Sequence, residues 1–425
     1  MSTRQLSATA PANWGQSPIS AFQNRAPKRS RWLIGDCPQL AVFTSLLVIA
    51  SPAAAQDAAP IADVVAATAA RAKAFPIMAA VESEAAYTPA ETVRGRERPL
   101  ARAKDARITP EALASAQAYA DANASFALIV LRDGKLVHER YATGFSPTSR
   151  FSPASMHKTV MALAFGTARI ALDAPVSRWL TEWKGDPRGA ITVRQLLTMS
   201  SGLETPPFSP DPAGKSAQMM FGPDIAKAAL SYAAVAPPGS VYAYSNANSQ
   251  LAGLILQRAT GKRYAELLSS RIWQPIGASN AAVWLDRPQG TAHTFCCLQA
   301  TARDWARVGQ LILDQGKANG RQVVPAAWVA EMAKPSALNP NYGLQLWRGS
   351  PHVLERRYSK ASPLVGRAAK PYLRDDVLFL DGAIGQRVYV IPSERLVIVR
   401  IGKSAMGWDD SELPNRVLAG IVAKP

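Results

Sequence analysis

One hydroxyl and one amine stand three positions apart in Phe151-Ser-Pro-Ala-Ser155-Met-His-Lys158-Thr159, and an apolar run over 160–165 follows. On a helix, residues i and i+3 share a face. Ser155 Oγ and Lys158 Nζ are therefore expected within hydrogen-bond reach, the equipment of a serine nucleophile with a lysine base. Pro153 suits a helix start. That sets Ser155 at a helix N-terminus, where unpaired backbone N–H groups favour developing negative charge. A lone Ser-x-x-Lys is more often a helix cap followed by a surface lysine. This one is the only such spacing in the chain.

Serine–lysine chemistry needs a second proton-transfer group and donors for the oxyanion. Tyr244-Ser245-Asn246 supplies the first. A phenol beside a cationic lysine is expected to have a lowered pKa and to shuttle protons near neutrality. Asn246 would hydrogen-bond the lysine or the substrate. The competing reading is an aromatic that merely packs before a helix. For the oxyanion, the Ser155 N–H is one donor. The Asp381-Gly382-Ala383-Ile384-Gly385-Gln386 stretch suits the other, because glycines let a strand backbone approach a substrate. A plain β-bulge is the alternative there. Gly382 and Gln386 are expected on the substrate side of that strand. His157 lies between nucleophile and base and reads as packing or surface.

Other chemistries find little support. Gly-x-Ser-x-Gly is absent, which removes the α/β-hydrolase elbow. Gly214-Lys215-Ser216 imitates the end of a phosphate loop but lacks the earlier glycine and a preceding strand. His-Glu-x-x-His does not occur, and four scattered histidines with two adjacent cysteines make no zinc pattern. No cofactor or metal is expected. Without basic-aromatic motifs, neither is a nucleic-acid partner.

The elements that must hold these groups can be read in order. A helix opens at Thr109-Pro110-Glu111. Residues 125–131 form an apolar strand, Asp133-Gly134 a hairpin turn, and 135–141 the returning strand. Residues 204–222 read as a long loop and 249–259 as an apolar-periodic helix. Helices follow at 264–273 and 301–315. Strands are expected at 342–347, on both sides of the glycine-rich break at 382–385, and at 396–401. A last helix lies near 415–422. Strands flank a mostly helical block at about 170–290, so the class is α/β (α+β), a sheet flanked by helices with a helical insertion.

With 425 residues, 48% hydrophobic and 19% charged, the chain can bury a sizeable core. The net charge is +17. Residues 1–55 read as an export leader: a basic region at Lys28, Arg29 and Arg31, an apolar run over 40–50, and small residues at 53–55. The expected location is secreted, a bacterial periplasm, with no membrane span after leader removal. Residues 56–108 are alanine-rich and proline-punctuated and read as an extension preceding the domain at 109–425. Cys296 and Cys297 admit a vicinal disulfide, but two small buried residues are the favoured reading.

Taken together, Ser155-x-x-Lys158, Tyr244-x-Asn246 and the late glycine-rich strand resemble, in order, the class C β-lactamases and their esterase, D-aminopeptidase, DD-peptidase and 6-aminohexanoate-dimer hydrolase relatives. The flanks at 131–141, 172–177, 191–203 and 300–309 resemble family signatures too, and the likeness covers roughly 110–423. It implies a β-lactamase/transpeptidase-like fold. It also implies Ser155 as acylated nucleophile, Lys158 as base partner, Tyr244 as acid/base, and an oxyanion hole from the N–H groups of Ser155 and Ile384. The substrate would be a small ester, amide or peptide-like molecule. Two departures stand out. Asp381-Gly382-Ala383 replaces the Lys-Thr-Gly of true β-lactamases, which disfavours β-lactams and favours an esterase or amidase. The helix after Lys158 also reaches Leu172-Asp173 early. A penicillin-binding DD-peptidase or β-lactamase, and a catalytically idle cell-wall binding protein of the same fold, are the competing readings.

Overall fold

The computed structural model describes residues 61–422, apart from 360, 361, 363 and 384. The leader expected at 1–55 lies outside the described residues, as does Ile384. Among the described residues, no helix is long and apolar enough to cross a membrane.

A six-stranded antiparallel sheet forms the frame. Its spatial order is Lys135–Tyr141, Ser125–Arg132, Leu396–Gly402, Gln386–Ile391, Leu378–Gly382 and Trp347–Arg348. Asp133 and Gly134 both take positive φ, 51° and 73°, which matches the twist of a tight hairpin. Both faces of the central strands are buried. Ile129, Leu131, Val388, Val390, Val397 and Val399 point into the larger core. Leu128, Val130, Tyr389, Ile391, Leu396 and Ile398 point into a second core. Period-two alternation thus reads as continuous apolar sequence, because helices cover both faces. Pro110–Ala122 and Glu412–Ala419 pack together on the second core. Ala302–Leu313 covers the other face, where the Cβ of any residue replacing Gly309 would meet Val397 and Val388 at 2.6 and 2.8 Å.

Three local expectations need correction. Residues 61–108 are not an extension outside the fold. The helix Ile61–Ala74 and the strand Ala90–Val93 are built into it, and Phe75, Tyr87 and Val93 lie in the larger core. Alanine and proline content hid three well-spaced core residues. Within 204–222, Lys215–Phe221 is helical and buries Ala217, Met219 and Phe221. The Trp347–Arg348 strand is also much shorter than the one expected over 342–347.

A second, four-stranded antiparallel sheet runs Ala90–Val93, Ala281–Trp284, Leu298–Thr301 and Arg150–Phe151. Its last pair matches Phe151 with Ala300 and Arg150 with Thr301. Phe151 leads straight into the Ser155 turn, and Leu298 follows directly on Phe295-Cys296-Cys297. One register therefore fixes two chain segments that meet at the candidate site.

Candidate active site

Ser155 sits in a short 3-10 turn, Ala154–Met156, which runs into the α-helix His157–Ala168. The α-helix begins two residues later than the sequence reading expects, yet the i, i+3 relation holds. Ala154 takes φ 49°, a left-handed conformation that non-glycine residues reach at a cost of about 1–3 kcal/mol. Such strain concentrates at functional turns. The strand Leu378–Gly382 ends against this turn: a Cβ on Gly382 would lie 2.2 Å from the Pro153 carbonyl oxygen. Only glycine permits that approach. Downstream, the helix stops at Ala168 with Arg169 in the left-handed region, φ 54°, so its early end is a formed cap.

Lys158 is 1% exposed. Its Nζ lies 2.8 Å from Ser155 Oγ, 2.9 Å from Asn246 Oδ1 and 2.8 Å from the Phe295 carbonyl. An ammonium has three N–H donors, and three acceptors surround it. As a free amine it keeps two N–H bonds, to Asn246 and Phe295, and turns its lone pair to the Ser155 hydroxyl. The same cage therefore holds both protonation states. Burial pulls the Lys158 pKa down to about 7, against the raising field of the Asp381 carboxylate. A substantial fraction is free amine at neutral pH, as a general base requires.

Tyr244 and Asn246 bracket the N-cap Ser245 of the helix Asn246–Thr260. The Tyr244 N–H donates to the Tyr358 carbonyl at 2.9 Å. Its ring lies 4.9 Å from Lys158 Nζ and packs against Trp347 and Tyr358 with centroids 5.7 and 5.4 Å away. The expectation of a lowered phenol pKa is reversed here. Burial pushes it well up, the Asp381 carboxylate adds to this, and the nearby Ser155 hydroxyl only partly opposes it. Tyr244 stays a protonated phenol, fit to donate rather than to accept.

Behind the site lies a charge cluster that the sequence reading missed. Arg356 donates to Asp381 at 2.7 Å and to Asp410 at 2.8 Å. Arg387 Nε donates to Asp410 at 2.7 Å, and its Nη1 stands 2.5 Å from Asp381 Oδ1. The Tyr358 hydroxyl adds a 2.7 Å bond to Asp381. Burial pushes the Asp410 pKa up, but the two guanidiniums outweigh it and hold the group below the usual carboxylate range. Where the sequence shows only an acid in place of a lysine, Asp381 is thus a buried carboxylate ion-paired with two arginines. Arg356 lies on the short strand Glu355–Arg357, which pairs with Val365–Arg367.

Gln386 is placed by backbone partners. It is fully buried, and its Nε2 donates to the Gly402 carbonyl at 2.8 Å while its Oε1 accepts from the Gly402 N–H at 3.0 Å. It bridges a register shift between Ile401 and Gly402, and its amide is committed to that backbone. Gly382 acts by its contact with Pro153. His157 is fully buried, so it is packing and not surface. Cys296 and Cys297 are both buried, as two small residues would be, but a disulfide joins them. Among the described residues, no cluster of three His, Cys, Asp or Glu side chains is arranged to hold a metal ion.

A family model described as Beta-lactamase matches residues 106–417. The chain is 30% identical over 217 residues to the 6-aminohexanoate-dimer hydrolase of Paenarthrobacter ureafaciens, covering 48% of this chain and 55% of that one. It is 34% identical over 183 residues to Esterase EstB of Burkholderia gladioli, covering 35% and 44%. The chain spans about half the length of these curated relatives. A structure of a candidate 6-aminohexanoate-dimer hydrolase from Bacillus anthracis superposes with TM-score 0.65 at 24% identity, covering 81% of this chain and 92% of that one. A class C beta lactamase from Rhodobacter sphaeroides gives 0.52 at 19%, covering 74% and 98%. At these identities the structures show a shared fold.

Proposed function

We propose, from the premise that this chain belongs to the Beta-lactamase family, that it is a serine hydrolase cleaving a small ester or amide through an acyl-enzyme on Ser155. The observation that carries this is the Lys158 cage, in which a buried amine of pKa about 7 lies 2.8 Å from the Ser155 hydroxyl.

The steps follow from the groups in place. Lys158 as free amine takes the Ser155 proton while Oγ attacks the carbonyl carbon, and the ammonium is held by Asn246 and the Phe295 carbonyl. The oxyanion meets the Ser155 N–H at the helix start and, in this reading, the Ile384 N–H. Tyr244 donates its phenol proton to the leaving group as the carbon–heteroatom bond breaks, and regains a proton from Lys158. Water then attacks the acyl carbon by the same route reversed, which returns Ser155.

Substrate class follows from what the strand lacks. Asp381 stands where a β-lactam carboxylate would need a cation, and Arg356 and Arg387 already engage it. This supports an uncharged acyl group over a carboxylate-bearing lactam. The names of the relatives, an esterase and a 6-aminohexanoate-dimer hydrolase, support an ester or a linear amide as the bond cleaved. We also propose export, on the basic and apolar composition of residues 28–55.

The test is intact-mass spectrometry after exposure to a fluorophosphonate, with Ser155→Ala alongside. One adduct on wild type and none on the variant is expected, followed by turnover of short esters or linear amide dimers. Unmodified wild type would return the protein to the idle, binding-only reading.

A further inference from the structure

His157 and Lys158 are neighbours on one helix, and both reach the same short segment. Lys158 Nζ donates to the Phe295 carbonyl, and His157 Nδ1 lies 2.5 Å from the Cys296 carbonyl. A carbonyl only accepts, so Nδ1 carries the hydrogen. Nε2 is then an acceptor, and the buried Tyr264 hydroxyl donates to it at 2.8 Å. Burial pulls the His157 pKa down to about 4, so the imidazole stays neutral and this tautomer is fixed. Two successive carbonyls are thus clamped by two successive side chains.

The far end of the clamp is closed by sulfur. Cys296 and Cys297 are 5% and 1% exposed and bonded to each other. Cys297 takes φ 74°, a left-handed backbone that non-glycine side chains rarely adopt. A covalent ring through adjacent residues restricts the torsions between them and holds this turn. Beyond it, Leu298 enters the small sheet. The Phe295 carbonyl is consequently followed directly by two restraints, the His157 bond to Cys296 and the disulfide turn, which limit its freedom to leave Lys158.

We propose that the Cys296–Cys297 disulfide, anchored through His157, is a positioning element for Lys158, so that the thiol redox state of this pair sets the reactivity of Ser155. This rests on the Ser155–Lys158 chemistry proposed above. A dithiol such as dithiothreitol supplies the co-reactant: the Cys296–Cys297 bond breaks, two S–H bonds form, and the dithiol gives up two hydrogens to close its own disulfide. The freed turn no longer needs a left-handed Cys297, and the Phe295 carbonyl can swing from Nζ. Lys158 then loses an acceptor that favours its charged form. Ser155 and His157 from its own helix, Tyr244, Asn246, and Asp381 on the neighbouring strand remain around it.

The experiment compares fluorophosphonate labelling of Ser155 in the oxidised and dithiothreitol-reduced protein across pH 5–9, with redox state read by intact mass. Reduction is expected to slow labelling by about 10- to 100-fold, the scale of an ångström misplacement, and to move the acid limb to lower pH. Reoxidation restores both. General loosening of the fold would lower the rate at every pH without moving the limb. Reduced protein with an unchanged rate and pH profile overturns the proposal. If the buried bond resists reduction, the C296S/C297S double variant takes its place under the same two outcomes. His157→Asn and His157→Leu give a line independent of sulfur. Asn keeps an N–H near the Nδ1 position and is expected to retain labelling that Leu loses, whereas equal labelling by both overturns the clamp. Absence of labelling in oxidised wild type would instead refute the serine-hydrolase reading, so the two failures are distinct.

Discussion

Replacing Gly382 by alanine tests whether the strand end sets the position of the nucleophile. The new Cβ would stand 2.2 Å from the Pro153 carbonyl oxygen and 2.6 Å from the Gln386 Cβ. Neither is the far end of a flexible side chain, so backbone must move. Opening 2.2 Å to an ordinary 3.4 Å contact takes about 1.2 Å, two residues ahead of Ser155. A displacement of about 1 Å costs on the order of a hundredfold in rate. The stability cost of overpacking is about 1–3 kcal/mol. A domain of ordinary stability, about 5–15 kcal/mol, stays overwhelmingly folded after that loss. Rate and folding therefore separate. The assay is the second-order rate of fluorophosphonate labelling beside a denaturant melt, with Gly407→Ala as control, since a Cβ there meets nothing within 4 Å. The expected result is a labelling rate down about a hundredfold in a folded protein, with the control unchanged. A Gly382→Ala protein that labels at the wild-type rate and melts normally would refute the positioning role of this contact.

Other outcomes follow from the same geometry. Lys158 accepts a proton only as free amine, so kcat/KM is expected to rise with pH through about 7 and then level off; a midpoint near 10 would contradict the buried-amine assignment. Because the Tyr244 phenol is raised, activity should not fall through loss of its proton below pH 10. Asp381→Asn leaves two buried guanidiniums facing one carboxylate and is expected to cost about 3–5 kcal/mol in a denaturant melt. An unmoved midpoint would show that the cluster is not what holds this region. Gln386→Leu strips the partners from both backbone groups of Gly402, at about 1–3 kcal/mol each, while leaving KM unchanged. A raised KM at unchanged stability would return Gln386 to the substrate side.

What could be read in advance divides by range. Ser155 and Lys158 are joined by helix periodicity, a local rule, and they meet as the spacing requires. Tyr244 and Asn246 were legible because a cap and an apolar-periodic helix mark where the chain turns. Their electrostatics were not, because the sign of the Tyr244 shift depends on how deeply the ring and the amine are enclosed. Long-range polar pairing was invisible. Nothing in the residues around Gln386 announces that its amide is committed to Gly402, sixteen positions on. Likewise Arg356 finds Asp381 and Asp410 only once the sheet brings them together. Phe295 was missed because its contribution is a backbone carbonyl, which any residue type carries. The Cys296–Cys297 pairing was open from adjacency alone, and adjacency could not choose between two thiols and a bond.

The strand Ala90–Val93 bears on how this protein should be produced. Its partner Ala281–Trp284 pairs in turn with Leu298–Thr301, which holds Phe151. The family match begins only at residue 106. A clone trimmed to that boundary would discard Phe75, Tyr87 and Val93 from the core and leave Ala281–Trp284 with a bare hydrogen-bonding edge, a template for intermolecular pairing. It would also remove the Arg71 guanidinium that sits 4.2 Å over the Trp284 ring. Inclusion bodies from such a clone would reflect the missing strand and say nothing about catalytic competence. Expression plasmids should therefore begin no later than residue 61.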